Sequence, residues 1–145
     1  REWAVSQQFV HQAEDVYKAL VAKQPTLYEK DKVSKEALAE WWAGDDRTLH
    51  NRKQGLQVHL ALLEAAAAAT PGKAGYLTCD GKSVGECKLW ATLRMLVMIK
   101  NDVLAPFPAL TAFYERFGGE AATKRVVDSG GRFPGPLKQY FVAPE

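Results

Sequence analysis

Cysteine is scarce in this chain: of 145 residues only Cys79 and Cys87 are cysteines, and seven residues separate them. No C-x-x-C and no Cys/His pair stands at ligand spacing, which argues against a structural zinc site. The residues read as two reduced thiols in or near a core, which fits a reducing compartment and leads to an expected cytoplasmic location. Histidine is almost as rare: His11, His50 and His59 are scattered, without the i, i+4 or carboxylate spacing of a metal-binding helix. They read as solvated or singly hydrogen-bonded, and no metal is expected. A charge excess is also missing, since the formal net charge is +2 and acids and bases are interspersed. That balance argues against a nucleic-acid surface.

Other absences narrow the class further. No long charge-free apolar run marks a membrane span, and no signal-peptide pattern is visible. Strand-like alternation and internal repeats are lacking, and the only low-complexity stretch is Ala65 to Ala69. Gly72-Lys73-Ala74-Gly75 is too short for a phosphate loop, and Ser83 has no G-x-S-x-G context, so no catalytic residue is assigned. The paired acids Glu14-Asp15 and Asp45-Asp46, like Asp102, read as solvated. The chain begins at Arg1, which leaves open a processed protein or one domain of a longer polypeptide.

What is present is helical periodicity, and the fold class expected is all-α, a single helical domain over 1–145. A chain of this length buries about 68–70% of its unfolded surface and needs neither disulfide nor metal. The organising stretch is Tyr76 to Phe117. Ser83-Val84-Gly85-Glu86 has capping-box spacing, with the Ser83 hydroxyl accepting from the Glu86 N–H and the Glu86 carboxylate from the Ser83 N–H. A central helix is therefore predicted to start at Val84 and to run to about residue 100. From Leu89 to Ile99 it is apolar on almost every side, interrupted mainly by Arg94, and such a helix is buried by its neighbours.

A first helix is expected from about Trp3 to Lys23, ended by Pro25. It carries two apolar stripes, Val5, Phe9, Ala13, Val16 and Leu20 on one and Val10, Tyr17 and Val21 on the other. A short solvated helix is predicted from Ser34 to Trp42, where adjacent Trp41 and Trp42 cannot share a face. Another spans Thr48 to Ala69, with Leu49, Leu56, Leu60 and Leu63 on one side. Pro108 suits the first position of a helix that stops at Gly118-Gly119. A further helix runs from about Glu120 to Asp128, and the proline-rich tail reads as extended.

This order of features resembles the C-terminal domain of cytosolic glutathione transferases. Ser83, Gly85 and Glu86 match that family's capping Ser/Thr, small residue and Asp, and Phe107-Pro108-Ala109-Leu110 matches the start of its next helix. Two departures stand out. Lys82 and Cys87 occupy the positions where a hydrophobic staple expects apolar residues, and His11 stands where several classes carry an Asp that contacts glutathione bound to the neighbouring subunit.

The resemblance implies a substrate-binding half that works with a thioredoxin-like domain, absent from these residues and supplied in cis or in trans. That domain would hold glutathione as co-substrate and activate its thiol toward apolar electrophiles. By position, Val10, Tyr17, Tyr140 and Phe141 are the implied substrate-pocket candidates, with Tyr17 also a possible hydrogen-bond donor to a developing oxyanion. The implied assembly is a homodimer or a subunit of a larger complex. The alternative is a non-catalytic binding or scaffold module with the same fold.

Overall fold

The computed structural model describes residues 2–21, 39, 42, 55–69, 76–78 and 82–128. Five helices make up the described architecture: α1 (Glu2–Val21), α2 (Leu56–Ala69), α3 (Val84–Ile99), α4 (Pro108–Gly119) and α5 (Ala121–Asp128). No strand occurs among the described residues. The all-α class holds. Of the expected Ser34–Trp42 helix only Ala39 and Trp42 are described; both are helical, and Trp42 packs against the core.

α1 docks mainly on α3, while α2 bridges α1 and α4. Phe9, Ala13 and Val16 of the first stripe are buried, as are Leu60 and Leu63 of α2 and Leu89, Leu93 and Leu96 of α3. The helix α2 begins at Leu56, after the buried, non-helical Gly55; residues 48–54 lie outside the described residues.

The seat of α1 on α3 is set by one small residue. At Gly85 an added Cβ would fall 2.2 Å from the Ser6 carbonyl oxygen, so only hydrogen lets the two backbones approach this closely. At the same contact the Gly85 N–H donates to Ser6 Oγ at 3.0 Å. The second orphan donor of α3 is thus satisfied by a serine 79 positions earlier.

Helix α4 starts differently. Its N-cap, Phe107, offers no side-chain acceptor, and Pro108 has no N–H to satisfy. Glu64 of α2 supplies the cap from outside, its two carboxylate oxygens each accepting at 2.8 Å, one from Ala109 N–H and the other from Leu110 N–H. A carboxylate at that end also suits the helix dipole.

The central helix differs from expectation in one respect. Leu89, Thr92, Leu93, Met95, Leu96 and Ile99 are buried, but Trp90, Arg94, Val97 and Met98 are half-buried, and Cys87 and Ala91 are exposed. These six form one stripe at helical spacing, left open because the neighbours of α3 cover its other side. Cys87 consequently stands exposed as a free thiol, not in or near the core. Among the described residues no helix is long and apolar enough to cross a membrane.

Candidate functional site

Two constellations carry the polar chemistry of the described residues. The first surrounds Glu86, whose side chain is fully buried. The predicted capping box is present: Glu86 N–H donates to Ser83 Oγ at 3.2 Å and Ser83 N–H to Glu86 Oε2 at 2.9 Å. Two further donors come from the preceding segment, Leu77 N–H at 2.6 Å and the Thr78 hydroxyl at 2.9 Å. Arg116 Nη2 stands 3.9 Å away, with its guanidinium over the rings of Tyr76 and Phe113. The carboxylate accepts three hydrogen bonds and has a cation beside it, which offsets the cost of burying such a group. This is a structural junction joining residues 76–78, α3 and α4.

No staple forms at Lys82. Its ammonium instead sits 5.0 Å from the Phe117 ring centre and pairs with Glu120, so a charged residue ties the start of α3 to the end of α4.

The second constellation is a cleft of about 290 Å³ between α3, α4 and α5. Trp90 and Arg94 line it from α3, Tyr114, Glu115 and Gly118 from α4, and Lys124, Val127 and Asp128 from α5. The Trp90 indole stacks at 5.9 Å on Tyr114 and 5.7 Å on Phe117, and its N–H donates to the Tyr114 carbonyl at 3.1 Å. The Arg94 guanidinium lies 5.6 Å from the Trp90 ring centre. Burial pushes the Tyr114 phenol above its ordinary range, with Arg94 pulling the other way. The phenol is therefore a neutral O–H donor at neutral pH.

The substrate-pocket candidates are placed apart from this cleft. Val10 and Tyr17 are half-buried on α1, and Tyr17 packs against the core beneath the Lys88 ammonium, 5.4 Å from its ring centre. Lys88 in turn pairs with Glu14 at 2.8 Å, which draws the Glu14 carboxyl below its usual range. Lys88 and Trp90 lie about 200° apart around α3. Tyr17 and the cleft are thus on different sides of the central helix. Tyr140 and Phe141 lie outside the described residues, as do Cys79 and His50.

His59 is half-buried and not fully solvated, and burial pushes its pKa below the ordinary value against the opposing pull of Asp15. Among the described residues no group of His, Cys, Asp and Glu could hold a metal ion. Trp90, Arg94, Tyr114 and Gly118 were not singled out from the sequence as a site. Their signal is Trp and Arg at i, i+4 within an apolar helix, facing Tyr and Gly at i, i+4 on the next. Comparison with protein-family models, curated proteins and solved structures returns no match.

Proposed function

We propose that this chain is the substrate-binding helical half of a glutathione transferase-type protein. The observation that carries the reading is the buried capping box at the head of α3, joined to the preceding segment through Leu77 and Thr78 and followed by a proline-started α4. That arrangement supports a fold of this type more than any reactive group supports its chemistry. Glutathione would supply a nucleophilic thiolate, held and activated by a thioredoxin-like domain in cis or in trans. The part of this chain would be to hold the apolar electrophile, with Val10 and Tyr17 on the α1 side as the candidate lining.

A second reading, a non-catalytic binding or scaffold subunit, is favoured by α2. Its outer face leaves Val58 43% and Leu62 50% exposed one turn apart, a small apolar spot that a partner could cover. The natural polypeptide, captured with an antibody against this chain, separates the two on immobilised glutathione. Retention and elution by free glutathione, with an intact mass that includes a thioredoxin-like domain, supports the transferase reading. Flow-through of a species without such a domain, alone or in complex, overturns it in favour of the scaffold.

A further inference from the structure

The open stripe of α3 carries one charge that stands out from its neighbours. Lys82, Lys88, Lys100 and Arg116 each have a carboxylate partner, Glu120, Glu14, Asp102 and Glu120 respectively. Arg94 has none among the described residues, although it is half-buried and held over the Trp90 ring. A cation that is partly desolvated, stacked and unpaired is primed for an incoming anion.

The walls beside it are aromatic, Trp90 from α3 and Tyr114 from α4. The Trp90 N–H is used by the Tyr114 carbonyl, so the indole offers carbon surface to the cleft. Gly118 keeps that surface open, since a Cβ there would stand 3.4 Å from Trp90 Nε1 and 3.6 Å from its benzo ring. At about 290 Å³ the cleft is at the small end of the ligand range of roughly 300–1,000 Å³, suited to one or two fused rings. On the rim, Lys124, Glu115 and Asp128 are exposed to solvent, where their charges are screened. Arg94 is thus the one charge of the described lining that is partly desolvated, which matches a single negative charge on the ligand.

We propose that this cleft binds a small planar aromatic monoanion, its rings against Trp90 and Tyr114 and its carboxylate or sulfonate on the Arg94 guanidinium. The site lies on the other side of α3 from Tyr17 and goes beyond the glutathione reading, which can fail without affecting it.

Calorimetric titration of the full chain with naphthalene carboxylate, naphthalene methanol and naphthalene methylammonium tests this. The carboxylate should bind about tenfold or more tighter than the alcohol, and the ammonium weakest. Arg94→Ala should lower carboxylate affinity about tenfold, and Arg94→Lys, which keeps the charge but loses the planar stacked fork, should recover only part of that loss. Gly118→Leu, which fills the cleft and keeps the arginine, should abolish binding of all three probes; thermal melting of each variant reports the fold. Absence of carboxylate binding at millimolar concentration, equal or tighter binding of the alcohol or ammonium, or undiminished binding in folded Arg94→Ala or Gly118→Leu would each overturn the proposal.

Discussion

Ser83 and Glu86 share one capping box but sit in different surroundings. Ser83 is half-buried and caps a single N–H, so Ser83→Ala should cost about 0.5–2 kcal/mol, read as a lower urea midpoint. Glu86 is fully buried and accepts from Leu77, Thr78 and Ser83. Glu86→Ala strands those donors and should cost at least about 3 kcal/mol by the same measurement. At His59, burial holds the folded pKa below the value of 6.5 expected without it. The unfolded chain then binds the proton more readily, so the contribution to stability is present above the unfolded pKa and is lost as pH falls below it. His59→Gln should flatten the fall in melting temperature between about pH 7 and pH 5.5, and an unchanged slope would show that other groups cause it.

At the scale of helices, the two predicted starts rest on different kinds of information. The start of α3 at Val84 was legible because donor, acceptor and carboxylate lie within four consecutive residues. Pro108 likewise announced α4 locally, but Glu64, which caps it, did not, because it acts on N–H groups 45 and 46 positions later. Glu64→Ala should lower stability by about 1–2 kcal/mol. A measurement with amide exchange should find the loss concentrated in the first turn of α4. Gly85→Ala sets propensity against packing. Alanine favours a helix interior by about 1 kcal/mol, yet the added carbon meets the Ser6 backbone at 2.2 Å. Packing should win, with a net loss of about 3 kcal/mol; a stabilised variant would show that α1 can shift without penalty.

Across the whole molecule, adjacent leucines of α2 report which side of it is covered. Leu63 is fully buried and Leu62 is 50% exposed. Leu63→Ala should cost about 2–5 kcal/mol, and Leu62→Lys should change stability by less than about 0.5 kcal/mol. If Leu62→Lys instead releases a bound partner or dissociates an oligomer on a sizing column, the exposed face of α2 is an interface in the assembled protein.

Periodicity exposed the core of α1, α2 and α3 because apolar spacing is a property of each segment alone. The cleft was hidden for the opposite reason: Trp90 and Arg94 read as members of a buried helix until α4 and α5 leave that side of it open. Ser6 was hidden too, a polar residue among the first turns whose partner is Gly85.

That last pairing bears on synthesis. Ser6 and Gly85 are 79 positions apart, a stretch that at about 5–20 residues per second takes a ribosome roughly 4–16 s to translate. For that interval Phe9, Ala13 and Val16 have left the ribosome's active centre without their principal seat on α3. Until the central helix emerges, those apolar residues stand open to mispairing and to chaperone capture.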